Sequence, residues 1–100
     1  MPRKEDRYQF LREVELEFAS GKRTARISDI SRGGCYIDTI ALVPVGEPMS
    51  ILISSSSGIS MRFSGRVAYI LEGFGFGIEF IDMTEERVEF LNMLLTSVRA

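Results

Sequence analysis

Alternation of apolar and polar residues with a period of two is the feature of this 100-residue sequence that most restricts its fold. Between Phe10 and Phe18 the apolar side chains fall mostly on alternate positions, with a break at Arg12. Similar runs, bounded by turn-forming residues, recur at short intervals up to Ile81. Because such alternation is typical of β-strands that bury one face, the sequence predicts a mainly β domain.

Six strands are predicted from these runs: residues 8–18, 24–29, 35–42, 49–54, 59–71 and 74–81. Ser20-Gly21 and Glu72-Gly73 supply turn chemistry between neighbouring strands, and Gly65 is the expected position of a β-bulge. Exposed strand edges promote aggregation, and closure into a barrel removes them. We therefore expect a six-stranded antiparallel β-barrel.

The last segment of the chain has a different period. Apolar residues recur there at spacings of three and four: Val88, Leu91, Leu94 or Leu95, and Val98, with Phe90 and Met93 broadening the stripe. This spacing predicts a C-terminal amphipathic α-helix at about 84–98, with Asp82 or Thr84 as its N-cap. A helix of this length is not stable alone, so we expect it to cover one end or one face of the barrel.

Composition excludes several classes of function. The chain has no histidine, which excludes imidazole-dependent catalysis and most zinc sites. The sequence also contains no nucleophile motif and no metal-ligand spacing that would indicate an enzyme. Cys35 is the only cysteine, so no internal disulfide can form, and we expect a buried thiol in a reducing compartment. The net charge of −2 provides no general attraction for DNA or RNA.

The N-terminal residues are polar and mostly charged. We interpret residues 1–7 as a flexible tail that precedes one domain, residues 8–100. The segment MPRKEDRYQF lacks the apolar core of a signal peptide, and no apolar run approaches the ~18 residues of a membrane span. We therefore expect a soluble, cytoplasmic protein with no membrane contact.

A short motif, D-x-S-x-x-G, lies between the second and third predicted strands at Asp29, Ser31 and Gly34, within SDISRGGCYI. These residue types are common turn formers, and a turn is one interpretation. They could also form a ligand site. Asp29 could accept hydrogen bonds from a guanine edge, Ser31 could bond a phosphate or a base, and the missing Cβ of Gly34 would let a flat base approach.

A second motif, R-x-x-x-R, places Arg3 and Arg7 in the tail, with Arg7 22 positions before Asp29. A solvated, charged tail is the simplest interpretation. A guanidinium can also form two parallel hydrogen bonds to a phosphate or to the O6/N7 edge of guanine, and it can stack on a base. A tail that carries two such groups could close over a bound nucleotide.

The order and spacing of the two motifs, together with the segment SGRVAYILEGFGFGIEFIDMTEE, resemble the PilZ domain family over nearly the whole chain. The resemblance implies a PilZ-like barrel that binds the bacterial second messenger cyclic di-GMP (c-di-GMP), usually as an intercalated dimer. It also implies roles for single residues: Arg3 and Arg7 clamp guanine and phosphate, Asp29 bonds a guanine edge, Ser31 bonds a phosphate or a base, and Gly34 is needed for its shape. We add Lys4 and Arg32 as charges at the rim; no metal or cofactor is implied.

The leading prediction is therefore a c-di-GMP receptor or adaptor without catalytic activity. Binding would change the conformation of the tail and the nearby surface, and so regulate an unidentified effector protein. The alternative is a PilZ-like scaffold that binds no nucleotide and acts through protein–protein contacts. A third interpretation is an RNA-binding barrel with Phe74, Phe76 and Phe80 as a stacking platform; the net charge argues against it, and we expect these rings in the core.

Overall fold

A computed structural model describes the backbone of residues 7–99 and the side chains of residues 7–97. It contains six strands and one helix: β1 (Tyr8–Phe18), β2 (Gly21–Ile30), β3 (Gly34–Asp38), β4 (Pro48–Ser54), β5 (Ser60–Leu71), β6 (Gly75–Ile81) and α1 (Glu85–Arg99). The strands pair antiparallel and close into a barrel in the order β1-β2-β3-β6-β5-β4. The predicted antiparallel barrel with a C-terminal helix is confirmed. The tail residues Arg3 and Lys4 lie outside the described residues.

An irregularity in β1 explains why the alternation breaks at Arg12. The register of β1 against β2 shifts between Gln9 and Arg12, while Phe10 and Val14, on either side of the break, are both buried. The Arg12 guanidinium lies over the Phe10 ring, 4.8 Å from its centroid, and donates a hydrogen bond to the carbonyl oxygen of Ser54 on β4. The shift therefore lets one strand keep its apolar face inward along its whole length.

A single core fills the barrel and extends under α1. Its fully buried members, drawn from all six strands and the helix, include Leu16, Ile27, Ile30, Ile37, Ile51, Ile53, Phe63, Val67, Phe76 and Leu91. Phe63 connects barrel and helix, because its ring centroid lies 4.9 Å from that of Phe80 and 6.0 Å from that of Phe90. Each buried side chain of this size contributes about 1.5–3 kcal/mol, so the core dominates the stability of the fold.

Thr84 is the N-cap of α1. Its Oγ1 accepts a hydrogen bond from the N–H of Arg87 at 3.2 Å, and its carbonyl oxygen accepts one from the N–H of Val88 at 2.9 Å. Asp82, the other predicted cap, has a positive φ of 53° where the chain leaves β6. Of the two candidates, Thr84 therefore satisfies the first helical donors.

The buried face of α1 is narrower than its spacing suggested. Phe90, Leu91, Leu94 and Leu95 are buried, and the helix packs against β1 and β5. Val88 and Met93, predicted for the same face, are 40% and 41% exposed. Among the described residues, no helix is long and apolar enough to cross a membrane.

The third predicted strand is too long. β3 ends at Asp38 rather than at residue 42, and Ile40 and Leu42 are exposed in the loop that follows. Asp38 pairs with Gly75, the first residue of β6, so the residues after Asp38 meet no further residue of that strand. Strand propensity continues past this point, but the partner strand does not.

Two predictions in the β5–β6 hairpin are also wrong. The register irregularity of β5 lies between Val67 and Tyr69, whereas Gly65 pairs regularly on both sides. Phe74 is 73% exposed and does not join Phe76 in the core, because it follows the turn, where its N–H bonds the carbonyl of residue 71. The predicted turn itself is present.

Candidate functional site

A groove of about 520 Å³ crosses the outer face of the barrel where β3, β6 and β5 lie side by side. Its lining includes Arg7, Ser31, Gly33, Gly34, Ala68, Tyr69, Gly77 and Glu79. Pockets for small ligands commonly measure about 300–1,000 Å³, so the groove has the size of a ligand site. It contains three of the five motif residues singled out in the sequence, Arg7, Ser31 and Gly34, and a fourth, Asp29, bonds to Arg7.

Arg7 and Asp29 form an ion pair at the edge of this groove. The Nε of Arg7 donates a hydrogen bond to Oδ1 of Asp29 at 2.9 Å, and Nη2 lies 2.7 Å from the same oxygen. The two side chains are 32% and 35% exposed, so water still reaches both. Partly exposed pairs of this kind contribute about 1 kcal/mol or less, and a ligand can therefore displace either group at small cost.

The β1–β2 register brings these two residues together across 22 positions of sequence. Tyr8 pairs with Ile30 and Gln9 with Asp29, so the chain that enters β1 runs beside the end of β2. Arg7 immediately precedes β1 and reaches Asp29 from there. The first strand thus carries the beginning of the tail to the D-x-S-x-x-G motif.

Ser31 is 1% exposed and holds the turn between β2 and β3. Its N–H donates to the carbonyl oxygen of Gly34 at 2.8 Å, and its hydroxyl lies 3.4 Å from that same oxygen. The Ser31 Oγ also accepts a hydrogen bond from the N–H of Gly33 at 3.3 Å. The hydroxyl is therefore engaged in the turn, and any direct contact with a phosphate or a base would have to replace these bonds.

Gly34 is required by packing within the sheet. A Cβ at this position would overlap the backbone carbonyl oxygen of Ile78 on β6. Because the obstacle is backbone rather than a flexible side chain, the two strands could not accept a larger residue without moving apart. This reason differs from the close approach of a base that the sequence suggested, and it applies with or without a ligand.

Cys35 lies beneath the groove and is fully buried, as expected from the sequence. Burial raises the pKa of its thiol far above the ordinary value. The nearby positive charge of Arg7 lowers this pKa by a smaller amount, and the negative charge of Asp29 raises it. Since the thiolate is the reactive form, Cys35 is a packing residue and no nucleophile.

Tyr69 is a groove residue that the sequence analysis missed. Its ring lies flat on β6 over Gly77, where any Cβ would overlap the ring. Tyr36 lies on the other side of Gly77, with ring centroids 6.3 Å apart and planes inclined by 28°. The turn at Glu72-Gly73 fixes the register that places Tyr69 opposite Gly77, so hairpin pairing was the signal that could have located it.

Tyr69 also separates the groove from a second depression of about 450 Å³, which is lined by Ser28, Asp29, Tyr36, Asp38, Tyr69, Leu71 and Phe74. The buried hydroxyl of Tyr36 has no hydrogen-bond partner among the described residues. The pKa of this phenol is raised above its ordinary value, mainly because burial disfavours the charged form. The nearby Tyr69, Asp38 and Asp29 raise it further, so the phenol stays neutral. Asp29, which pairs with Tyr36, lines the second depression and is linked to the groove through its bond to Arg7.

The charged side chains at the groove carry no net positive charge. Among its described lining residues, Arg7 is the cation and is already paired with Asp29, while Glu79 adds a carboxylate beside Arg66 on the neighbouring strand. An anionic ligand would therefore need further positive charge. Arg3 and Lys4, which could supply it, lie outside the described residues, and Arg32 is exposed at the tip of the turn, outside the groove lining.

Within the residues that the structure describes, no cluster of three or more cysteine, aspartate or glutamate side chains could hold a metal ion.

Comparisons with known proteins identify the fold. The structure is similar to the PilZ domain, with c-di-GMP, of YcgR from Escherichia coli, with a TM-score of 0.80 and 14% identity over 99% of this chain and 92% of the other. It is also similar to the PilZ domain of CeSA from a cellulose-synthesizing bacterium (TM-score 0.70, 21% identity, 91% and 96% covered). A third similar structure is the MrkH–c-di-GMP complex of K. pneumonia (TM-score 0.71, 15% identity, 99% and 55% covered).

At these identities the structural likeness shows a shared fold. A comparison with curated proteins finds no significant match. The sequence itself matches the family model described as PilZ domain over residues 2–97, a range that includes both motifs and almost all of the barrel and helix. The chain belongs to the PilZ domain family.

Proposed function

We propose that this chain is a c-di-GMP receptor that acts in the cytoplasm, by binding and without catalysis. The observation that carries the proposal is the Arg7–Asp29 ion pair at the edge of the groove, which joins the two sequence motifs in one site. Two of the similar structures, the YcgR PilZ domain and MrkH, contain c-di-GMP, which supports the choice of ligand.

Asp29 is the residue that would read the base. An aspartate accepts two hydrogen bonds, and the N1–H and N2–H₂ groups of guanine offer two parallel donors. Arg7 would then leave Asp29, or share it, and bond a phosphate or the O6/N7 edge of a guanine. Because the ion pair is weak and partly exposed, this exchange costs little, while the pair keeps both groups in place before the ligand arrives.

Ser31 and Gly34 would act through the shape of the site. The buried Ser31 hydroxyl fixes the turn that follows Asp29, and Gly34 lets β3 lie close against β6. We keep Ser31 as a ligand contact only as a prediction, because its bonds in the turn would have to rearrange. This division predicts that Arg7 and Asp29 control affinity and that Ser31 and Gly34 control the integrity of the site.

Arg3 completes the proposed site. c-di-GMP carries two phosphates, whereas the described part of the groove contributes Arg7, Asp29 and Glu79 and thus no excess of positive charge. Closure of the tail would bring Arg3, with Lys4 beside it, onto the ligand. The groove and the adjoining depression together offer space for the two guanines of one c-di-GMP. Binding of a second, intercalated molecule stays a prediction.

Ordering of the tail would be the signal to the effector protein. Fixing a residue's backbone costs about 1–2 kcal/mol, so a tail of a few residues is ordered only when several bonds to the ligand form together. The surface made by the ordered tail and ligand exists only in the bound state, and a partner that recognises it is thereby regulated.

Isothermal titration calorimetry with c-di-GMP tests the proposal, with GTP and a linear diguanylate as controls. We expect saturable binding of the cyclic dinucleotide alone, near micromolar affinity, about −8 kcal/mol. Backbone amide spectra should shift at Asp29, Ser31 and Gly34. A chain that gives no heat and no shifts with excess c-di-GMP would instead be the scaffold that acts through protein contacts.

A further inference from the structure

A cleft of about 390 Å³ lies between the start of β1, the turn that joins β4 to β5, and the second half of α1. Among the described residues, it shares no lining residue with the groove that contains Arg7 and Gly34. Small-ligand pockets commonly measure about 300–1,000 Å³, so the cleft is a small member of this class. A molecule of liquid water occupies about 30 Å³, and the cleft therefore has room for a ligand of about a dozen non-hydrogen atoms.

Part of the cleft lining is apolar and open to solvent. Leu11 of β1 and Met93 of α1 line the cleft and are 58% and 41% exposed. Phe10 and Leu94, which also line it, belong to the core. Single exposed apolar residues are common on protein surfaces, but here two of them border the same cleft. Methionine adapts its flexible side chain to irregular apolar groups, so this part of the lining can cover a short alkyl chain.

The rest of the lining is polar, and it consists of Gln9, Arg12, Ser97 and the serines at 55–57. Arg12 is the one charged side chain among the described lining residues, in a chain whose net charge is −2. Its hydrogen bond to the carbonyl oxygen of Ser54 holds the guanidinium beside the serine turn. The polar lining therefore carries a local positive charge, which favours an anion.

Arg12 is a partly buried cation that has only neutral partners among the described residues. These partners are the Phe10 ring, whose centroid lies 4.8 Å from the guanidinium carbon, and the Ser54 carbonyl. Arg7 and Arg62, by contrast, each form an ion pair with a carboxylate. A guanidinium has five N–H donors, so most of those of Arg12 remain available. An anion in the cleft would supply the missing charge, and charge-assisted hydrogen bonds are about twice as strong as neutral ones.

We propose that the cleft binds a small amphipathic carboxylate, an alkyl chain of about eight to ten carbons that ends in a carboxylate group. The carboxylate forms two parallel hydrogen bonds with the Arg12 guanidinium, and the chain covers Leu11 and Met93. An anion without an apolar body would leave these two side chains in water, and an alkyl chain without a charge would leave Arg12 unpaired. The inference does not depend on c-di-GMP, because the cleft is separate from the proposed ligand groove.

An amide chemical-shift titration of the whole chain with octanoate, in the absence of c-di-GMP, tests the proposal. Octanoate has about ten non-hydrogen atoms and fits the volume of the cleft. We expect saturable shifts at Leu11, Arg12 and Met93, with a dissociation constant on the order of 1 mM. Acetate lacks the chain and octan-1-ol lacks the charge, so each should bind at least fivefold more weakly. Either control binding as tightly as octanoate would refute the proposal, and so would an absence of shifts at these residues.

Charge substitutions on α1 locate the binding site. Met93→Glu places a carboxylate at the cleft and should weaken octanoate binding at least tenfold, whereas Met93→Lys should strengthen it severalfold. Val88→Glu and Val88→Lys are matched controls, because Val88 is 40% exposed on the same helix and lies outside the cleft lining. Both controls should bind octanoate as the wild type does. Equal effects at the two positions would show that only the net charge matters, and would contradict binding in the cleft.

Arg12→Gln tests the guanidinium directly. We expect the affinity for octanoate to fall at least tenfold, to that for octan-1-ol, with thermal unfolding as the check that the variant is folded. If this variant does not fold, the Met93 substitutions and their controls decide the proposal. A folded Arg12→Gln variant that binds octanoate as tightly as the wild type would overturn it.

Discussion

Arg7→Ala removes the guanidinium that bonds Asp29 in the unliganded protein, and we expect it to weaken c-di-GMP binding by about 30-fold or more. In the proposed complex Arg7 makes two hydrogen bonds to the ligand. Hydrogen bonds to charged groups contribute about 1.5–3 kcal/mol each, or about 3–6 kcal/mol for two. The ion pair given up by Arg7 on binding is partly exposed and worth about 0.2–1 kcal/mol, which is subtracted.

The difference, about 2–6 kcal/mol, corresponds to a loss of affinity of roughly 30-fold to about ten-thousand-fold. Folding should be nearly unaffected, since the ion pair stabilises the protein by about 1 kcal/mol at most.

Titration calorimetry at fixed ionic strength measures the effect, and thermal unfolding checks the fold. Arg62→Ala is the matched control: Arg62 is an arginine of similar exposure that pairs with Glu17 at 3.5 Å, on a part of the barrel outside the groove lining. Its affinity should equal that of the wild type. An Arg7→Ala variant that binds c-di-GMP within threefold of the wild type would refute the role given to the ion pair.

Five further substitutions, in three comparisons, test the fold of the barrel and the helix. Gly34→Ala should destabilise the protein by about 3 kcal/mol or more in chemical unfolding, because its Cβ meets the backbone of Ile78. Gly77→Ala should cost less, because its Cβ meets the side chain of Tyr69, which can move. Equal losses of stability in the two variants would contradict this reasoning. Leu91→Ala should cost about 2–5 kcal/mol and the exposed Met93→Ala under about 1 kcal/mol, as measured by urea midpoints. The buried Cys35 thiol should stabilise the folded protein fully below pH 9.0, its ordinary pKa. Above that pH the free energy of unfolding should fall by about 1.4 kcal/mol per pH unit, because only the unfolded thiol ionises there. The stability profile of Cys35→Ala should lack this fall, and parallel profiles for the two proteins would refute the reasoning.

The barrel was predictable because its signals are local and repeated. Each strand that lies in the sheet shows alternation of its own, and even the break at Arg12 corresponds to a real shift in register. The overlong third strand failed for the opposite reason. Strand propensity continues to Leu42, but pairing ends at Asp38, opposite Gly75, where β6 begins. The residues of one segment do not indicate how far its partner strand extends. Phe74 was misplaced for the same reason, since its exposure depends on the turn before it.

The site was predictable in part. The sequence singled out Arg7 and Asp29 through two motifs, and the structure places them in contact. It did not indicate that Ser31 is buried or that Gly34 contacts backbone, because both facts depend on how closely β3 lies to its neighbours. Tyr69 was missed because its place in the groove depends on the pairing of β5 with β6 rather than on any motif.

The closed barrel limits how a bound ligand can change the protein. Every strand is paired on both sides over at least part of its length, and the floor of the groove is held by the backbone contact at Gly34 and the buried turn at Ser31. Packed interiors of this kind resist gradual deformation. The partly exposed Arg7–Asp29 ion pair, by contrast, can exchange at small cost. In the proposed receptor, the signal would therefore reach its partner as a new surface over a rigid barrel, and β4, which contributes no residue to the groove lining, should stay unchanged when the groove is filled.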